Sequence, residues 1–182
     1  MIKKMICLGV ILVMVILAFT ACNGNGVEIA GKSLVFNVYA TGYSYGVSEL
    51  SQYNLNKKVD SLDALINLSN ENNYPFFNEN DENYNSDLSQ KVREYDASYF
   101  QEKVLILVFY FKSAGYPIKI DSLRIQNDTI KVIMAMPKLS SVDDVVSWQA
   151  FLIELDKKDV EGADKVETVQ IIKGKMKDYD YY

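Results

Sequence analysis

Apolar and polar residues change their spacing several times along the chain, and each spacing predicts an element. From Ile6 to Phe19 almost every position is apolar, but crossing about 30 Å of hydrocarbon takes roughly 20 apolar residues of helix, so the run is short for a span. Asn23 to Lys32 is polar and carries Gly24, Gly26 and Gly31, the composition of a flexible tether. From Ser33 to Ala40, Leu34, Phe36 and Val38 alternate against Asn37 and Tyr39, which predicts a half-buried strand. The spacing then becomes three and four. Leu62, Leu65, Ile66 and Leu68 share one helical face behind Asp60 or Ser61 as cap. A second helix is predicted from near Asp87, with Gln90 in capping-box position and Leu88, Val92 and Tyr95 turned inward. Between the helices, Asn70 to Asn85 is rich in asparagine and acid around Pro75 and reads as a long loop.

The second half reads as strands. Val104 to Phe111 is apolar at every position, which predicts a central strand covered on both faces. Ile118 and Ile120 share one parity while Leu123 and Ile125 share the other, so a bulge or bend is expected near Asp121. Asn127-Asp128 is a two-residue turn candidate before the alternating Ile130, Val132, Met134 and Met136. Ser141 to Val146 reads as a brief helical turn or loop and Trp148 to Leu155 as a further strand; a turn at Gly162-Ala163-Asp164 then leads into a last strand, Val166 to Ile172. Residues 176–182 read as a frayed tail. Helices gathered early and strands gathered late predict an α+β fold: a mostly antiparallel sheet of about five or six strands, with two short helices near the N-terminal half, in one domain over 33–175.

The N-terminus has the order of a secretory signal: Lys3 and Lys4, the apolar run, then small residues. Phe19-Thr20-Ala21-Cys22 resembles the lipobox of bacterial lipoproteins, with Phe19 in place of the usual aliphatic residue. The resemblance implies that residues 1–21 are removed, that Cys22 receives a diacylglyceryl group, and that 22–32 tethers the domain to the membrane. Two acyl chains suffice for stable anchoring. The expected location is therefore the extracytoplasmic face of the cell membrane.

Composition narrows the chemistry. The formal charge is −5, and losing Lys3 and Lys4 with the signal makes it more negative; such a surface disfavours nucleic acid, whose binding rests on basic residues. There is no histidine, and the two cysteines are Cys7, inside the signal, and Cys22. The familiar serine, cysteine and metal hydrolases each need a residue that is missing. The expectation is a protein without catalysis, cofactor or metal, carboxylate pairs and Ser-Lys chemistry being the enzymatic routes that need no histidine.

Several motifs have plainer accounts. Gly26 to Ser33 satisfies the P-loop pattern letter for letter, but a P-loop follows a strand and opens a helix, whereas here a tether precedes and a strand follows. Asp81, Asn83, Asn85 and Asp87 place oxygens at alternate positions like the start of a calcium loop, yet Ser86 and Val92 stand where glycine and a bidentate glutamate are required. Thr41 to Gly46 interleaves turn residues with Tyr43 and Tyr45; the sequence leaves open a candidate contact loop or a hairpin turn covering the edge of the core. Trp148 reads as core and Glu154 as an outward-facing strand residue.

The stretch Tyr99 to Val160 resembles uncharacterised lipoproteins of Gram-positive anaerobes and, more loosely, the C-terminal domain of the PrcB family of protease-complex subunits. The matching pieces are Tyr99-Phe100 before Val104 to Phe111, Gly115-Tyr116-x-Ile118-x-Ile120 with Leu123, Ile130 to Met136 with Pro137, and Trp148 to Leu155. The resemblance implies a lipid-anchored accessory protein that binds a surface protease, with a protein partner in the envelope. The alternative is a ligand-sensing or solute-capturing lipoprotein, with the tyrosine loop and the Asn-rich loop lining a cleft.

Overall fold

The structure is a computed structural model and describes residues 29–43, 55–113, 117–138 and 146–175. The strands are β1 (Lys32–Leu34), β2 (Asn37–Tyr43), β3 (Leu55–Val59), β4 (Lys103–Ser113), β5 (Lys119–Gln126), β6 (Thr129–Met136), β7 (Val146–Asp156) and β8 (Lys165–Ile172). The helices are α1 (Leu62–Glu71), α2 (Asp87–Arg93) and α3 (Tyr99–Glu102), with single 3-10 turns at Pro75–Phe77 and Lys157–Asp159.

The α+β class is as expected, but the single sheet of five or six strands is not what forms. Two four-stranded sheets form instead, in the orders β1-β5-β6-β8 and β2-β7-β4-β3. The reason lies in β4 and β7, which are apolar on both faces. Leu105, Leu107 and Phe109 enter one core with Leu65, Phe76, Leu88, Val92 and Phe100 from the helical layer. Val104, Ile106 and Val108 enter a second core with Ile130, Val132 and Met134 of the other sheet. Helices cover one face and a second sheet covers the other. Among the described residues all strand pairs are antiparallel except β6 with β8.

The predicted strand over Ser33–Ala40 is in fact two strands. β1 pairs with β5, and after Val35 and Phe36 the chain enters β2, which pairs with β7 in the other sheet. Just before β1, Gly31 has φ +128°, and a Cβ there would lie 2.4 Å from the Ile125 carbonyl oxygen; only glycine fits so close an approach. Lys32 and Ser33 lie in β1, so the P-loop pattern does not open a helix.

The β5–β6 register shifts between Ile120 and Ser122, which is the bulge expected near Asp121. The turn falls at Asn127-Asp128, with Asn127 at φ 57°, a conformation asparagine tolerates better than most residues. Ser61 caps α1 by accepting from the Ala64 amide. The cap of α2 is Ser86, which accepts from the Ser89 amide, so Gln90 lies one place past a capping box; its side-chain amide donates to the Asn85 carbonyl at 2.6 Å. The third helix, unforeseen, is one turn started by Asp96, whose Oδ1 accepts from the Tyr99 amide at 2.8 Å and the Ser98 hydroxyl at 2.7 Å. These bonds hold the Asp96 carboxyl below its ordinary range.

The Asn-rich segment is anchored more firmly than a long loop. Tyr74 and Phe76 are buried, both in edge contact with the Phe109 ring. Arg93 clips the segment: one guanidinium nitrogen donates to the Phe76 carbonyl at 2.8 Å and the Tyr84 carbonyl at 2.7 Å, while the group lies 3.8 Å from the centre of the Tyr84 ring. No described helix is long and apolar enough to cross a membrane.

Candidate functional site

At one end of the sandwich the chain builds a groove from three places far apart in sequence. The end of β3 supplies Lys58 and Asp60, the start of β4 supplies Val104, and the β7–β8 connection supplies Lys157, Lys158, Val160, Glu161 and Gly162. The connection holds its shape through backbone bonds: the Val160 amide donates to the Lys157 carbonyl and the Ala163 amide to the Val160 carbonyl, both at 3.1 Å. Gly162 turns the chain at φ +76°, and the Asp164 and Lys165 amides then dock on the Asp128 carbonyl at 3.0 and 3.1 Å.

The groove encloses about 370 Å³. Its floor is apolar, with Val104 and Val160 each 1% exposed, and its rim carries both signs of charge. Lys58 is held on two sides, donating to the Ala163 carbonyl at 2.9 Å and to Asp164 Oδ1 at 3.1 Å. Lys157 donates to the Phe100 carbonyl. Lys158 lies 3.6 Å from Asp156, which also takes Lys103 at 2.5 Å. That bond to Lys103 depresses the Asp156 carboxyl and raises the Lys103 ammonium. Asp60 and Glu161 are exposed on the rim. Such a lining can grip a polar segment by hydrogen bonds and paired charges while its apolar stems rest on the two valines.

A second polar cluster lies under the helices. Glu154 does not face outward as expected: on β7 it shares the parity of Ala150 and Leu152, whose side chains enter the helical core, and it accepts from the Tyr95 hydroxyl at 3.1 Å. Burial, and then Glu154, pushes the Tyr95 hydroxyl far up; burial does the same to Tyr99. Lys91 sits 5.7 and 5.4 Å from the centres of the Tyr39 and Tyr95 rings and pairs with Glu94 at 2.7 Å. Each polar group here is answered by a neighbour, so the cluster ties α2 to the sheet.

Of the residues singled out in the sequence, Trp148 is core at 2% exposure. Tyr43 closes β2, opposite Trp148; Tyr45 and Cys22 lie outside the described residues, as do 141–145. Asp81 uses its carboxylate on the Asn83 amide at 2.8 Å, and among the described residues no three Asp or Glu side chains gather as a metal set would require. The groove residues were missed in the sequence. Asp156-Lys157-Lys158-Asp159 before Gly162 marks a charged turn, but nothing local says that Lys58 comes to meet it.

Compared with protein-family models, with curated proteins and with solved structures, the chain matches none.

Proposed function

We propose that this chain is a lipid-anchored extracytoplasmic binding or accessory protein, held through Cys22, that docks another envelope protein without catalysis of its own. The observation that carries the reading is the groove between Lys58 and Gly162, with a small apolar floor and a rim of both charge signs. A polypeptide segment offers the matching chemistry, since it carries both charges and backbone hydrogen-bonding groups. The resemblance of Tyr99 to Val160 supplies the specific form of the reading, an accessory subunit of a surface protease complex.

The test is crosslinking in cells followed by affinity capture and mass spectrometry, comparing the native chain with Lys158→Glu, Glu161→Lys and Cys22→Ala. Lys158 has a side chain 79% exposed and Glu161 is exposed, so both reversals spare the fold. One dominant partner, weakened by either reversal and absent with Cys22→Ala, is the expected result. A partner retained at full yield by both reversals removes the groove from the account.

The groove volume favours a second reading, capture of a charged solute, because about 300 to 1,000 Å³ is the range of small-molecule sites. Binding of a small zwitterion to the purified chain, abolished by the same reversals with no protein captured, would decide for it.

A further inference from the structure

The edge strands of the two sheets are not protected alike. An edge presents unpaired backbone N–H and C=O groups that template pairing with another chain, and proteins blunt it with short strands, charge, proline or cover. β1 is three residues long and includes Lys32. β3 carries Lys57 and Lys58, and it is tied to β8 by the Asn56 amide on the Thr168 hydroxyl at 3.4 Å. β8 carries Lys165 and Glu167. β2 lacks most of these devices: its seven residues, Asn-Val-Tyr-Ala-Thr-Gly-Tyr, hold no charge and no proline, and α2 touches it on one face, where Lys91 stands 5.7 Å from the centre of the Tyr39 ring. Among the described residues it pairs on one side only, with β7. Beside that open edge Val38 is 43% exposed, and Val35, just before the strand, is 87% exposed.

We propose that β2 pairs antiparallel with β2 of a second copy of this chain, about a two-fold axis through Ala40, so that the two β2-β7-β4-β3 sheets become one. This register puts Ala40 opposite itself, Tyr39 opposite Thr41, Val38 opposite Gly42 and Asn37 opposite Tyr43. Tyr39 and Val38 each meet a smaller residue, so side chains on both faces fit without crowding. Charge selects the same strand. Two copies of a chain with formal charge −5 repel, and pairing β3 about its centre would set Lys57 against Lys57, whereas β2 brings no charge to the seam. The pairing uses both copies of the edge at once, so it closes as a dimer and leaves no β2 free for a filament.

The register makes the test specific. In the full chain, with Cys7 and Cys22 replaced by serine in every sample including the wild-type control, Ala40→Cys is oxidised with copper phenanthroline beside that control and Val38→Cys. Facing Ala40 Cα atoms would lie about 4.5 to 5.5 Å apart, within the roughly 4.4 to 6.8 Å a disulfide spans. Two Val38 positions would be four residues out of register, about 13 Å apart. A disulfide-linked dimer with Ala40→Cys, but not with Val38→Cys or wild type, is the expected result. Equal crosslinking by both variants, or by neither, overturns the proposal. Should Ala40→Cys fail to fold, light scattering of the wild-type chain in detergent decides. A protein mass near twice that of one chain supports the pairing, and a mass of one chain overturns it.

Discussion

Tyr74, Tyr95 and Tyr99 belong to the layer between the helices and the sheet, and burial raises the pKa of each, Tyr74 to about 12 and the other two further. A neutral phenol tolerates that layer and a phenolate does not. Because the folded values lie above the unfolded value of 10.0, the stabilisation is complete below pH 10 and is lost as pH rises through the folded values; for Tyr74 the window runs from 10.0 to about 12. In an alkaline titration followed at 295 nm, these phenols should ionise only together with loss of the far-ultraviolet circular dichroism. Tyr95→Phe should make the alkaline loss shallower while leaving the part due to Tyr74. Ionisation of every tyrosine near pH 10 with the dichroism intact would refute the burial. That Tyr95 faces inward was legible from its helical spacing behind Leu88 and Val92. Its bond to Glu154 was not, since 59 residues separate the two and strand alternation alone does not say which face of β7 the helices cover.

At the scale of the element, the segment between α1 and α2 shows how little regular structure is needed to hold a chain in place. Phe76 is 1% exposed and packs with Tyr74 and Phe109, while its carbonyl takes the Arg93 guanidinium. Phe76→Ala should cost about 3 to 5 kcal/mol in chemical denaturation, the usual range for emptying a buried aromatic site. It should also speed amide exchange over residues 74–86 more than in β6. An unchanged denaturation midpoint would mean that the segment is not part of the core. The sequence hid this because Tyr74, Phe76, Phe77 and Tyr84, scattered among asparagines and acids, have no period to detect. It hid the split between β1 and β2 for a different reason. Leu34, Phe36 and Ala40 all turn into the core between the sheets, so the alternation continues unbroken while the hydrogen-bonding partner changes from β5 to β7. Hydrophobic alternation reports which core a side chain enters and is blind to which strand the backbone pairs with.

Across the whole molecule, the same blindness explains why one large sheet was expected where two small ones stack. An apolar run such as Val104 to Phe111 announces cover on both faces, but a sheet and a layer of helices satisfy it equally. The groove is likewise a product of topology, because β3, β4 and the end of β7 are brought side by side only by long-range pairing within the β2-β7-β4-β3 sheet. What the arrangement does imply is cooperativity. β4 and β7 send alternate residues into two cores, so neither the helical layer nor the second sheet can leave without uncovering the same two strands. Leu107→Ala empties the helical side and Ile106→Ala the other, both from sites with 0% exposure. Each should cost about 2 to 5 kcal/mol, and each should shift thermal unfolding followed by Trp148 fluorescence and by dichroism at 222 nm by the same amount, with the two probes still coincident. If Leu107→Ala instead let the helical signal melt first while Trp148 stayed buried, the helices would be a separable cover, and the two cores would not form one folding unit.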